Sequence, residues 1–215
     1  MMETDVLDSR YSWRRLGVTL AIALIGNVGM WAVIVVMPEV QSDFAVVRSA
    51  ASIPYTTTMV GFALGNFVIG RAVDRFGVTS VLCGAAVVVA VGFALAAASG
   101  SVLMRSVLQF FVGFGTAASF GPLIADISHW FYRRRGIAVA IAASGNYLSG
   151  AIWPLLLSGV LNDYGWRAAY VVLAVVSLLL IIPLALLLRP RIPEAATSKA
   201  SNMSRSLGRS VNFSP

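Results

Sequence analysis

With 215 residues, 58% of them apolar and only 12% charged, and a mean hydropathy of +0.83, the chain is too apolar for a soluble domain, about a quarter of which is charged. The 16 Lys and Arg against 9 Asp and Glu would point to a nucleic-acid partner in a soluble chain. Here their placement reads as membrane topology instead, and both a DNA-binding domain and an outer-membrane barrel are excluded.

Six windows contain no Asp, Glu, Lys or Arg: 16–38, 49–70, 76–104, 106–125, 136–162 and 168–188. A helix rising ~1.5 Å per residue needs about 20 residues to cross ~30 Å of hydrocarbon, so each window predicts one crossing. The expected fold is an all-α membrane protein of six transmembrane helices. A cytoplasmic segment, 1–15, precedes the bundle at 16–190, and a basic Ser-rich tail, 191–215, has too few large apolar residues to fold. The first window is read as an uncleaved span, because no small-residue cleavage site follows it. Thirteen of the 16 basic residues fall on the side that holds both termini, which predicts cytoplasmic termini in a cell (plasma or inner) membrane. Trp13, Trp130 and Trp166 stand at window edges, where an indole keeps its N–H among headgroups.

Span one places Asn27 and Trp31 one turn apart near mid-membrane. In span two Tyr55, Thr58, Phe62 and Asn66 share one stripe, beside Gly61-x-x-x-Gly65. In span four Arg105, Gln109, Gly113, Ala117 and Gly121 recur every fourth position, so the arginine continues a small-residue ladder and should not face lipid. It either snorkels outward or meets an anion, since an arginine in mid-bilayer costs at least ~2.5–3.5 kcal/mol. Span five offers Asn146, Tyr147, Gly150 and Pro154. Polar groups meeting at the midplane from several helices are what a solute site requires; hydrogen bonding between packed helices is the competing explanation for each.

Spans three and six are apolar all round and should face lipid. The order mixed, mixed, apolar therefore occurs twice. Gly70-x-x-x-Asp74-Arg75-Phe76-Gly77 after span two and Gly159-x-x-x-Asp163-Tyr164-Gly165 after span five repeat the same turn chemistry. An odd number of crossings per repeat puts the two turns on opposite sides, so the expectation is a 3+3 inverted repeat.

The segment Gly70-Arg71-Ala72-Val73-Asp74-Arg75-Phe76-Gly77 resembles the cytoplasmic signature of the major facilitator superfamily. Trp130-Phe131-x-x-Arg134-Arg135-Gly136, Ser144-Gly145, Pro154 and Gly165-Trp166-Arg167-x-Ala169-Tyr170 resemble its monocarboxylate and oxalate/formate porter branch. The resemblance spans residues 16–190 and implies the N-terminal half of a major facilitator fold, alternating between inward-open and outward-open states. It also implies a cytoplasmic latch at Gly70, Asp74, Arg75 and Gly77, with Asp74 at the N-terminus of another helix and Arg75 able to pair with Asp126. Val78 and Thr79 stand where the family has two basic residues, which shortens the charge relay.

Superfamily members have twelve helices, with the solute between two halves. The expected partners are therefore the lipid bilayer, a small solute, and a second six-helix half or a second copy of the chain. The leading function is secondary transport of a small solute, an organic anion such as a monocarboxylate; the alternative is a truncated, non-transporting assembly partner. Candidate solute contacts are Asn27, Trp31, Tyr55, Thr58, Arg105, Asn146 and Tyr147. Glu39, Asp43, Asp74, Asp126, Asp163 and His129 all lie at or beyond span ends, so no embedded proton carrier is visible and exchange or facilitated movement is expected. With one Cys and one His, neither catalysis nor a metal or other cofactor is expected.

Overall fold

The first helical stretch is built around its own interruptions. Ser9 caps α1 (Arg10–Gly26), its hydroxyl accepting from Ser12 N at 3.2 Å. The helix breaks at Asn27, whose Nδ2 donates to the Ala23 carbonyl at 2.7 Å and competes with the backbone ladder there. It resumes as α2 (Val28–Val35) and, beyond a second break, as α3 (Met37–Asp43), where Pro38 lacks the N–H that would continue the ladder. The computed structural model describes residues 7–189; among them there is no strand. The expected tail, 191–215, lies outside the described residues, and the first helix starts within the predicted N-terminal segment, at Arg10.

α4 (Arg48–Phe76) ends at Gly77, where φ 82° and ψ 157° turn the chain straight into α5 (Val78–Ala97). A positive φ of this kind is open to glycine at little steric cost. Ser101 caps α6 (Val102–Thr116), which tightens into a 3₁₀ turn at Ala117–Ser119 before α7 (Gly121–Trp130). α8 (Arg135–Val176) contains a second turn, at Gly165, with φ 78° and ψ 176°. A π turn, Ser177–Ile181, leads into α9 (Ile182–Leu187), which carries Pro183 in its first turn. The closing glycines of the two repeated motifs, Gly77 and Gly165, thus have similar backbone angles.

Among the described residues four stretches are long and apolar enough to cross a membrane: Arg10–Val35, Val78–Ala97, Val102–Trp130 and Arg135–Leu187. The last has 53 residues, more than twice what one crossing needs, and is divided by the Gly165 turn. α4 has the length, 29 residues, but opens with serines, threonines and a tyrosine.

Among the described residues the most extensive helix contact is between α4 and α6. A Cβ at Gly61 would run into the Phe110 carbonyl, one at Gly65 would sit 2.5 Å from the Phe114 carbonyl, and one at Gly113 would run into Thr58. Small residues let these backbones approach as the Gly-x-x-x-Gly spacing predicts. α1 and α2 pack against α8 in the same manner, with Gly145 against Ala23 of α1 and Gly150 against the Trp31 ring of α2. α5 buries Leu82, Ala86, Val89 and Phe93 and leaves Val87, Val88, Val91 and Leu95 exposed.

Candidate functional site

The two broken stretches touch at their breaks. Asn27 Nδ2 donates to the Ser119 carbonyl at 3.2 Å, and a Cβ at Gly26 would run into Ser119 Oγ. One turn on, Gly29 lies against Thr116 Oγ1. Asn27 is fully buried, and its Oδ1, like Thr116 Oγ1, has no hydrogen-bond partner. Interrupted helices meeting near mid-depth concentrate free backbone and side-chain polar groups. The break is braced from α8: Trp153 Nε1 donates to the Leu24 carbonyl at 2.9 Å. Thr116, Ser119 and Trp153 lie outside the candidate residues read from the sequence; the signal available for them is the polar pair Thr116 and Ser119 flanking Ala117-Ala118.

Next to this crossing Trp31 Nε1 donates to the backbone carbonyl of Asn146 at 3.0 Å and lies 3.2 Å from its Oδ1. The indole lies flat against Gly150, where a larger residue would displace it. Trp31 and Asn146 are half-buried, and Tyr147 is 72% exposed. The structure therefore brings Trp31 and Asn146 together, one turn beyond Asn27, with exposed Tyr147 the next residue after Asn146 on α8. Tyr55 is half-buried on α4.

Thr58 and Arg105 are placed differently. Thr58 Oγ1 donates to the Pro54 carbonyl at 2.7 Å and lies 3.3 Å from Gln109 Oε1, fully buried between α4 and α6. The stripe read from the sequence therefore divides: Thr58 is between helices, while Asn66 turns back on the Phe62 carbonyl. Arg105 is 1% exposed and does not snorkel. Its Nη2 donates to Tyr170 Oη at 2.5 Å, and Gln109 Nε2 donates to the same oxygen at 2.6 Å. The guanidinium carbon lies 4.7 Å from the Trp166 ring centre and 4.9 Å from that of Tyr170, within cation–π range. Arg105 Nε and Nη1 have no partner.

At the Gly77 end, Asp126 pairs with Arg15 and not with Arg75. Arg15 Nε and Nη2 both reach the carboxylate, at 2.9–3.0 Å, and Nη1 donates to the Leu188 carbonyl at 3.0 Å. The guanidinium also stacks 4.5 Å from the Trp130 ring centre. Arg75, exposed at the end of α4, instead lies over Phe76 at 5.3 Å. Asp74 is exposed as well and accepts no hydrogen bond from a helix N-terminus among the described residues. Asp8 makes that kind of contact: its carboxylate accepts from the backbone N–H of Tyr132, Arg133 and Arg134 at 3.0–3.4 Å, just before α8. Asp74, Arg75, Gly77 and Asp126 line a cavity of about 650 Å³; Gly70 lies one turn outside it, with open space around its Cα.

At the Gly165 end Arg167 Nη1 donates to Asp43 Oδ2 at 2.6 Å and Trp166 Nε1 to the same oxygen at 3.2 Å. These two donors hold the Asp43 carboxyl below its ordinary value. Among the described residues no group of His, Cys, Asp and Glu has the arrangement of a metal site.

Residues 19–212 match the sequence profile of the Major Facilitator Superfamily. The chain is 28% identical over 76% of its length to a probable sulfoacetate transporter of Cupriavidus necator, covering 38% of that protein. It is 32% identical over 63% of its length to the MFS-type transporter pynF of Aspergillus niger, covering 32% of it. Against human monocarboxylate transporter 11 it is 30% identical over 60% of its length, covering 26%. Among solved structures, a bacterial homolog of the human lysosomal transporter Spinster, inward-facing and occupied, superposes with a TM-score of 0.72 at 16% identity, over 86% of this chain and 46% of that one. The chain thus spans about a third of the curated relatives it matches and under half of the solved structure. These relatives are transporters and not enzymes, and the monocarboxylate branch is consistent with them. On its matching profile, its apolar helices and its fold neighbours, this multi-pass membrane chain belongs to the Major Facilitator Superfamily.

Proposed function

We propose that the chain is one wall of a secondary transporter that carries a small organic anion by alternating access. The observation that carries this reading is the junction of the two interrupted stretches at Asn27 and Ser119, with Trp31, Asn146 and exposed Tyr147 beside it. In hydrocarbon such groups would be left unsatisfied, so a water-accessible path between two walls accounts for them. Two relatives named as a probable sulfoacetate transporter and a monocarboxylate transporter favour an organic anion.

In this reading α4 and the two arms on either side of Gly165 join the other apolar stretches to make six crossings. They form a 3+3 inverted repeat with both termini cytoplasmic. The matching angles at Gly77 and Gly165 support the repeat. The second wall is another six-helix half, or a second copy of the chain. Trp31, Tyr55, Asn146 and Tyr147 then contact solute, while Asn27, Thr58 and Arg105 hold the wall together from inside. Gly70, Asp74, Arg75 and Gly77 form the cytoplasmic gate, with Asp126 anchoring it through Arg15.

The test is uptake of a panel of small carboxylates and sulfonates into vesicles holding the full chain with its second wall. Tyr147→Ala and Asn146→Ala should each raise KM with little change in insertion. Exchange should persist when the pH gradient is dissipated, as no acid is seated at mid-depth. Cationic or neutral solutes transported in preference to all anions would overturn the solute class.

A further inference from the structure

A second hollow, of about 390 Å³, runs along α4, α5 and α6 and meets the 650 Å³ cavity at Phe76 and Ser80, which line both. Its walls include Ile69, Val88 and Phe114, and Ser80 is the one hydroxyl among its described lining residues. It is open because Gly84 stands at its edge: a Cβ there would meet nothing within 4 Å. The adjoining cavity is polar. Among its described lining residues Arg15 and Asp126 neutralise each other, leaving Arg75 and Arg189, with His129, against the carboxylate of Asp74. Arg75 has no carboxylate partner among the described residues and rests on Phe76, at the junction itself.

An apolar slot joined end-on to a positively charged cup matches a molecule with a chain at one end and an anionic group at the other. A free anion would leave the slot unused, and an apolar helix from a second wall would leave the cup uncompensated. We propose that the junction at Phe76 and Ser80 seats an anionic phospholipid, its acyl chain in the slot beside Gly84 and its phosphate at Arg75. The site shares Arg75 with the proposed gate but lies outside the Asn27 and Trp31 neighbourhood, and it is read by lipid restriction and not by transport, so the two readings can fail separately.

The experiment uses the full chain in mixed micelles carrying spin-labelled phosphatidylglycerol or phosphatidylcholine, with the motionally restricted fraction read by electron paramagnetic resonance. Phosphatidylglycerol should be restricted in preference to phosphatidylcholine. Arg75→Gln should lower that preference about fivefold, the worth of one arginine near an anionic surface. Gly84→Leu should fill the slot and release both lipids while the thermal melt stays in place. If Gly84→Leu fails to insert, Val88→Phe, which narrows the same slot from the neighbouring turn, gives the same reading. Excess glycerol phosphate should not displace the lipid. Equal restriction of the two lipids in the unsubstituted chain, retention of phosphatidylglycerol in folded Gly84→Leu or Val88→Phe, or displacement by glycerol phosphate would each overturn the proposal.

Discussion

Arg15 and Arg105 are the two buried arginines among the described residues, and they are accommodated by different means. Each lies near the start of a broken helical stretch, and each has an indole against its guanidinium, Trp130 and Trp166 respectively. Arg15 has a carboxylate held by three short contacts and a backbone carbonyl for its remaining nitrogen. Arg105 has one phenol oxygen, two ring faces and two unpartnered N–H-bearing nitrogens. The first arrangement is a closed charge pair that ties α1 to α7. The second is a positive charge stabilised by polarisable rings, with no carboxylate near it in the salt bridges of the described residues. Burial of the same side chain therefore gives a neutral clamp at the Gly77 end and a net positive interior at the Gly165 end.

The sharpest way to break the comparison is Asp126→Asn. Removing one partner of a buried pair leaves the other charge uncompensated, which costs about 3–5 kcal/mol. Unfolding of the full chain in mixed micelles should show that loss, and Arg15→Met with Asp126→Leu should recover most of it. If the single variant is no less stable than the double, Arg15 and Asp126 do not form a clamp. Tyr170→Phe should cost less, about 1–3 kcal/mol, by taking the acceptor from both Arg105 and Gln109. Equal losses at the two ends would erase the distinction between pair and ring cage.

Smaller again is Trp31→Phe, which removes the donor to Asn146 from a half-buried site; about 1 kcal/mol of stability should go, with a larger change in KM. The least effect belongs to the exposed Arg167 and Asp43 contact. Because Asp43 titrates lower in the folded chain than when unfolded, the contact is fully present above the unfolded carboxylate value and is lost as pH falls through the folded one. Trp166 fluorescence, reporting on the Asp43 hydrogen bond, should change only in that acidic window. A change near neutral pH would assign the titration to another group.

The sequence carried the helical stretches, because runs without charge have one physical use in a chain of this hydropathy. It carried both glycine turns, since each repeats an Asp followed by a Gly at the end of a long helix. It also carried the inward direction of the Arg105 ladder: Arg105, Gln109, Gly113 and Ala117 are all buried. What it did not carry were partners brought together from far along the chain. Arg15 and Asp126 are 111 positions apart, and Arg105 and Tyr170 are 65. A local motif instead favours Arg75, which neighbours Asp74 in the signature but rests on Phe76 while Arg15 takes Asp126. Asp8 lay outside any recognised pattern, because a carboxylate that cradles a loop's N–H groups is defined by the loop's shape.

The meeting of Asn27 with Ser119 places two weakened backbone ladders at one depth. Amide deuterium, which ordinarily stalls in the middle of a hydrophobic helix, would find a point of entry there from both chains of peptide groups at once. A heat map of exchange along the sequence should show paired maxima around positions 27 and 119, separated by protected flanks, marking where the wall yields first.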